Sequence, residues 1–136
     1  MAESPAEPDP DLVELATRLF GLARQGATTE LAAYLDAGVS ADLTNQRGDS
    51  LLMLAAYHGH APAVKALLVR GADPDRANDR GQTPLAGAVF KAEPEVIRVL
   101  VAAGADPEAG QPSARATAAM FEREDLAELL QGDRHL

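Results

Sequence analysis

A unit of 33 residues recurs along this chain, and its period limits the possible folds more than any other feature. Leu52 of the central copy, residues 45–77, falls on Leu85 when moved forward by 33 positions and on Leu19 when moved backward. Further pairs at the same spacing are Gly48 and Gly81, Ser50 and Thr83, Leu67 and Leu100, and Gly71 and Gly104. A period of this size signals stacked repeats, because each unit has an apolar face that only its neighbours can bury.

Each copy is predicted to contain two short helices followed by a polar finger. The first helix begins at Asp9-Pro10-Asp11, where Asp9 is a candidate N-cap, and ends at Gly26. The second runs from about Thr29 to Ala37. The remaining predicted helices cover about 49–58, 61–70, 82–91, 94–103, 114–122 and 124–130, and the fingers cover 39–48, 72–81 and 105–113. Such a pattern predicts an all-α protein with extended, hairpin-like fingers.

The ends of the chain differ from its middle. Residues 1–10 are acidic and rich in proline, so we expect a disordered tail, and residues 133–136 are expected to be disordered as well. A single repeat domain should span 11–132, divided into units 12–44, 45–77 and 78–110 and a degenerate cap, 111–132. In the cap, Leu126 and Leu130 match Val96 and Leu100 only with a shift of 30. A shortened and charged last unit suits a cap, because its outer face meets water.

Composition excludes several classes of protein. The chain lacks cysteine, which removes disulfides and thiolate chemistry. The net charge of −9 argues against nucleic-acid binding, which requires a basic surface. We find no signal peptide and no apolar run approaching the roughly 20 residues of a membrane span. These features predict a cytoplasmic monomer that binds neither nucleic acid nor membranes.

Three motifs resemble sites of chemistry but lack residues that such sites require. His58-x-His60 lacks a third metal ligand at a matching spacing. The stretch from Asp73 to Asp79 lacks the glycine and glutamate of a calcium loop, and the segment 104–110 lacks the lysine of a phosphate loop. Since no Ser-His-acid constellation is evident either, the sequence predicts no enzyme activity, no metal and no cofactor.

The repeated residues resemble the ankyrin repeat over about residues 12–131. The stretch from Gly81 to Leu85, GQTPL, matches the turn that opens that repeat, and Gly59-His60 matches its corner. Ala55-Ala56, Leu67-Leu68 and Gly71-Ala72-Asp73 match its remaining elements. The chain is similar to short, stand-alone bacterial ankyrin-repeat proteins. The resemblance implies an ankyrin-repeat solenoid of helix-turn-helix pairs, with three full repeats and a degenerate C-terminal capping repeat.

The chain departs from the family pattern at several positions. Met53 and Ala86 replace the histidine that follows the opening turn. Ala92 stands where Gly26 and Gly59 suggest a left-handed backbone, which disfavours alanine by about 1 kcal/mol relative to glycine. Gly87 lies inside a predicted helix, where glycine is disfavoured by about 1 kcal/mol relative to alanine. The third unit is therefore expected to be the least stable.

The resemblance also implies a binding face, made of the fingertips and the exposed side of each first helix. On this concave face we expect a partner protein to bind. The corresponding positions are Arg24, Gln46, Arg47, Asp49, Tyr57, His58, Asp79, Arg80, Gln82, Phe90, Lys91 and Arg115. Tyr57 and Phe90 are one repeat apart and should lie side by side, as should Arg47 and Arg80. Alternatively, the two rings pack on helix edges and the arginines are merely solvated.

Two hypotheses for function remain open. The chain is a protein–protein interaction module that uses its concave face, or it is a dedicated regulator that inhibits or stabilises one enzyme. The predicted face holds five cations against Asp49 and Asp79, while the rest of the chain is acidic. That distribution predicts a basic groove around the two aromatic rings and a partner that carries carboxylates around an apolar anchor.

Overall fold

The computed structural model describes residues 9–132, and this range contains eight α-helices. They are α1 (Pro10–Gln25), α2 (Thr28–Asp36), α3 (Leu51–Tyr57), α4 (Ala61–Val69), α5 (Pro84–Phe90), α6 (Pro94–Ala102), α7 (Ala114–Met120) and α8 (Glu124–Leu129). Most of the predicted disordered tail, 1–10, lies outside the described residues; of its last two residues, Asp9 caps α1 and Pro10 is the first residue of that helix. The predicted disordered C-terminus, 133–136, also lies outside the described residues.

The helices form two layers. The first helices of the units, α1, α3, α5 and α7, pack side by side in one layer, which we call the inner layer. The second helices, α2, α4, α6 and α8, do the same in the other, the outer layer. Each first helix also packs against the second helix of its own unit. The predicted all-α stack is therefore confirmed. Between residues 9 and 132, no helix combines the length and apolar character that would let it cross a membrane.

Hydroxyl side chains fix where the inner helices begin. The Ser50 Oγ accepts a hydrogen bond of 3.0 Å from the Met53 backbone N–H, and the Thr83 Oγ1 accepts one of 3.2 Å from Ala86. Ser113 caps α7 in the same way. Because an N-cap residue keeps an extended backbone, α3 and α5 begin two residues later than the predicted starts at 49 and 82.

Small and branched side chains fill the space between the layers. Ala55, Ala56 and Ala88 are fully buried on the inner helices, and Leu67 and Leu100 are fully buried on the outer ones. With aromatic residues at only 4% of the chain, the core depends on close approach of the helices rather than on large rings.

The histidine corner joins neighbouring units. The His60 Nε2 lies 2.7 Å from the Arg24 carbonyl oxygen, at the end of α1. Gly26 has φ +70°, and a Cβ placed on it would lie 2.5 Å from the His60 ring. His60 therefore serves a structural role, and among residues 9–132 no group of three or more His, Asp or Glu side chains is placed to hold a metal ion.

Two later corners carry a side chain where the first two have glycine. Ala92 has φ 55°, the left-handed backbone that its position predicted. Glu122, at the corresponding corner of the cap, has φ 54°, which the sequence comparison did not single out. Both residues therefore hold a conformation that disfavours a side chain by roughly 1–2 kcal/mol.

Replacing Glu122 by glycine is expected to raise the free energy of unfolding by about 1 kcal/mol, because the strain is relieved while the flexibility of glycine in the unfolded chain offsets part of the gain. Glu122 is exposed, so no packing is lost. Urea unfolding measures the change. As a control, Lys65→Gly in the exposed middle of α4 should lower stability by about 1 kcal/mol. A Glu122→Gly variant less stable than the parent would contradict the argument.

Candidate functional site

Two asparagines shape the fingertips. The Asn45 Oδ1 accepts hydrogen bonds from the backbone N–H groups of Arg47 and Asp49, at 2.9 and 3.0 Å. One unit later, the Asn78 Oδ1 accepts the same two bonds from Arg80 and Gln82, both at 3.0 Å. Asparagine favours such turns because its side chain replaces a backbone acceptor. Neither asparagine was predicted as a site residue, although their spacing of 33 and their position before Gly48 and Gly81 are visible in the sequence.

The two fingertips are also joined to each other. The Asp79 backbone N–H donates to the Arg47 carbonyl oxygen at 3.0 Å. The Asn78 side-chain amide donates to the Asp49 Oδ1 and to the Gln82 Oε1, both at 2.8 Å. Asp49 and Gln82, predicted as binding residues, thus connect the fingers. The backbone that presents both fingertip arginines is held in place by these bonds.

A polar cavity of about 460 Å³, which we call the basic groove, lies between these fingertips and the ends of α1 and α3. It brings together nine of the twelve predicted site residues. They are Arg24, Gln46, Arg47, Asp49, Tyr57, His58, Asp79, Arg80 and Gln82. Asn45, Asn78, Met53 and Leu54, which were not predicted, complete the lining. The positions inferred from the repeat register therefore converge on one surface.

A second cavity of about 350 Å³, the apolar groove, continues along the same side of the stack over α5 and α7. Its lining comprises Met53, Tyr57, Gln82, Ala86, Gly87, Phe90, Pro112, Thr117, Met120 and Phe121. The Phe90 and Phe121 rings meet edge to face, with centroids 5.6 Å apart. Tyr57, Gln82 and Phe90 are the predicted residues in this groove, while Met120 and Phe121 were not predicted.

Exposure separates the two predicted aromatic residues. Phe90 is 55% exposed, and its neighbours Met120 and Phe121 are 66% and 52% exposed. Tyr57 is half-buried, with its ring edge to face against His58. Phe90 thus belongs to an open apolar patch, whereas Tyr57 forms part of the wall between the two grooves.

Lys91 and Arg115 occupy different places from the other predicted cations. The Lys91 ammonium lies 5.1 Å from the centroid of the Tyr57 ring, a cation–π contact at the edge of the grooves. Arg115 lines neither groove and pairs with the Glu108 carboxylate. With a repeat spacing of 33, Arg115 corresponds to Gln82. The cap instead follows a spacing of 30, so Arg115 is the second residue of α7 and does not lie at a fingertip.

Within the part of the chain that the structure describes, the arginines of the basic groove form no ion pairs. Nine arginines lie within residues 9–132, and five of them pair with a carboxylate. Of the other four, Arg76 lies outside the basic groove. Arg24, Arg47 and Arg80 form no ion pair with any residue of that range, and all three line the basic groove. In a chain with 21 acidic and 12 basic residues, three unpaired guanidinium groups on one surface are a concentration of available positive charge.

His58 adds no charge to this groove near neutral pH. Partial burial of its ring lowers its pKa, and the nearby charges of His60, Arg24 and Lys91 lower it further. Because the pKa falls below the ordinary value of 6.5, the imidazole is neutral at pH 7 and can both donate and accept a hydrogen bond. The positive character of the basic groove therefore comes from its arginines.

Stacked helix pairs, fingertips linked by hydrogen bonds and grooves on one side of the stack are together the features of a helical repeat protein. The family model for ankyrin repeats, in three copies, matches residues 19–111, which is more than half of the chain. The chain belongs to the ankyrin repeat family, as its sequence motifs indicated. Members of this family are generally protein–protein interaction modules and are typically not enzymes.

A bacterial relative shares part of this sequence. The chain is 48% identical over 66 residues to a Pseudomonas aeruginosa protein that is named as an ankyrin repeat protein. The match covers 48% of this chain and 39% of the relative. The chain therefore spans about two fifths of the length of the relative that it matches.

Proposed function

We propose that this chain binds a partner protein through the basic groove and the apolar groove together. The observation that carries the proposal is the convergence of Arg24, Arg47 and Arg80, unpaired within residues 9–132, beside the exposed rings of Phe90 and Phe121. Arginine and aromatic side chains dominate binding energy in protein interfaces. Large exposed apolar residues that cluster on one surface are also typical of interaction sites.

The rigidity of the fingers supports this proposal. Binding is opposed by the entropy lost when surface groups become ordered. The side chains of Asn45 and Asn78 already fix the backbone of both fingertips, and a backbone hydrogen bond links Asp79 to Arg47. A partner that binds here would meet arginines on a preformed support.

In this proposal the polar residues of the basic groove serve recognition and architecture rather than catalysis. Asn45 and Asn78 hold the turns, and Asp49 joins the fingers. The cytoplasmic location and the monomeric state stay predictions of the sequence.

Reversing the charge of Arg47 and Arg80 together, Arg47→Glu and Arg80→Glu, should weaken partner capture. With the tagged full chain as bait, a lysate of the native host should yield a stoichiometric partner for the parent and much less for the variant. With the purified partner, the association rate should fall by at least about tenfold at low salt and less at high salt, because long-range attraction is screened.

Lys65→Glu is the matched control, since Lys65 is exposed on α4 in the outer layer. Arg70 suits this purpose less well because it pairs with Asp36 at 2.8 Å, which lowers the pKa of that carboxyl group. Equal loss of partner in both variants, or no loss in the Arg47 and Arg80 variant, would refute binding at the basic groove.

The same capture separates an adaptor from a dedicated regulator. A single captured enzyme whose activity changes on adding the chain would identify a regulator. Several unrelated partners that compete for one surface would identify a general adaptor.

A further inference from the structure

Resting on the proposed function, we infer that the partner presents one peptide segment with a fixed order along the stack. Its carboxylates lie in the basic groove over the first two units, and one large apolar side chain lies in the apolar groove over the third unit and the cap. The sequence had suggested positive charge around an aromatic centre, whereas the structure separates charge and apolar surface into two adjoining grooves.

Charge complementarity selects carboxylates for the basic groove. Guanidinium groups bind carboxylates through paired hydrogen bonds. Of the two acidic residues in the lining, Asp49 is occupied by the side chain of Asn78, at 2.8 Å. Arg47 and Arg80 are exposed at the fingertips and Arg24 at the end of α1, so a segment lying across the groove can reach all three.

Gly87 lets the side chains beside the apolar groove pack closely on α5. It is buried, and a Cβ placed on this residue would lie 3.1 Å from the Met53 Cε and 3.6 Å from the Tyr57 Cδ2. Met53, Tyr57 and Gly87 together line the inner part of this groove. The side chains of Phe90, Met120 and Phe121 form exposed walls around this space, which suits an aromatic or large aliphatic anchor. The glycine inside α5, unfavourable for a helix, is explained by this close approach, since an alanine there would crowd Met53.

Shared walls make the two grooves one continuous surface. Met53, Tyr57 and Gln82 line both of them, so one segment can occupy both without leaving the protein. Neighbouring helices pack about 8–10 Å apart, and the groove centres lie one to two helices apart, so the separation is roughly 10–20 Å. At about 3.3 Å per residue of extended chain, the carboxylates and the anchor should be about three to six residues apart.

Selection of a random 12-residue peptide library on the full chain tests this inference. Enriched peptides should carry at least two Asp or Glu residues and one aromatic or large aliphatic residue at that spacing. A photo-crosslinking amino acid at the anchor position of a selected peptide should label α5 or α7, and one at the acidic end should label the first two units. Crosslinks in the opposite order, or enriched peptides without acidic residues, would overturn the inference.

Two variants test the grooves separately. Gly87→Ala should weaken binding of the selected peptide by at least about tenfold, because the added methyl group displaces the Met53 and Tyr57 side chains that line the apolar groove. The thermal midpoint should change little, because the helix propensity of alanine offsets this crowding. Arg24→Gln should lower the affinity for the selected acidic peptides more than the affinity for the same peptides with Gln in place of Asp and Glu. Val69→Ala, on the outer layer, should change neither the affinity for the selected peptides nor their preference for acidic residues. Unchanged affinity in Gly87→Ala would overturn the placement of the anchor.

Other occupants of the grooves give different results. If a second copy of the chain filled them, sedimentation would show a dimer that the peptide dissociates. If residues 1–8 filled them, deleting these residues would tighten peptide binding by at least about tenfold. Either result overturns the inference. A third result separates this inference from the proposed function. If the parent captures the native partner, the Arg47→Glu and Arg80→Glu variant does not, and the selected peptides show no ordered pattern, this inference fails while the proposed function stands.

Discussion

Replacing Leu67 by alanine is expected to lower the free energy of unfolding by about 2–5 kcal/mol, the range for truncating a buried leucine. Leu67 is fully buried on α4, and α4 packs against α2, α3 and α6. The cavity would therefore lie at the junction of three units. In a repeat stack, stability depends on the contacts between neighbouring units, so one cavity should weaken both interfaces of the central unit.

Urea or thermal unfolding of the full chain measures the effect of Leu67→Ala. Val69→Ala, two residues further along the same helix, is the matched control, because Val69 is 70% exposed. The control should change stability by less than about 0.5 kcal/mol. If the two variants were equally stable, the interior position of Leu67 would be wrong.

The repeat period was sufficient to predict the stack, because the same physical requirement recurs in every unit. Each second helix needs leucines such as Leu67 and Leu100 on its buried side, and each corner needs a left-handed residue such as Gly26, Gly59 or Ala92. Predicted and observed helix boundaries in the central units differ by two residues or fewer. The starts of α3 and α5 differ from the prediction because Ser50 and Thr83 cap these helices. The repeat period shows that the two residues correspond, but it does not show which residue is the cap.

The period failed where the chain itself shortens. Nine positions separate Gly104 from Ser113, whereas twelve separate Gly71 from Thr83, so the third finger lacks three residues. The shift of 30 at Leu126 and Leu130 signalled this change, but the binding positions were still assigned with 33. Met120 and Phe121, which correspond to Phe90 and Lys91 with the shorter shift, were therefore missed.

Side-chain pairing is the part that the sequence could not predict. Arg70 pairs with Asp36, which is 34 residues away, and Arg115 pairs with Glu108, which is seven residues away. Which arginines stay unpaired depends on how neighbouring units and fingers are placed in three dimensions. The separation into a basic and an apolar groove depends on the same placement, since Gly87 contributes only by letting Met53 and Tyr57 pack closely on α5.

The largest effect on binding is expected when Tyr57 and Phe90 are both replaced by alanine. Tyr57 is the wall shared by the two grooves and supports the Lys91 ammonium, and Phe90 forms the exposed side of the apolar groove. Truncating a residue that dominates an interface weakens binding by about 2 kcal/mol or more. Two such losses would raise the dissociation constant of the complex by about a thousandfold, so capture of the partner should be abolished.

The fold should survive this double change, because Phe90 is 55% exposed and Tyr57 is only half-buried. Loss of the edge-to-face contact between Phe90 and Phe121 should lower stability by about 0.5–1.5 kcal/mol. Titration of the captured partner, with a thermal melt of each variant and Val69→Ala as the exposed apolar control, measures both effects. A variant that unfolds would show that the two rings are core residues, as the alternative interpretation holds. A folded variant with undiminished affinity would place the partner elsewhere, since these are the side chains that a segment spanning both grooves must contact.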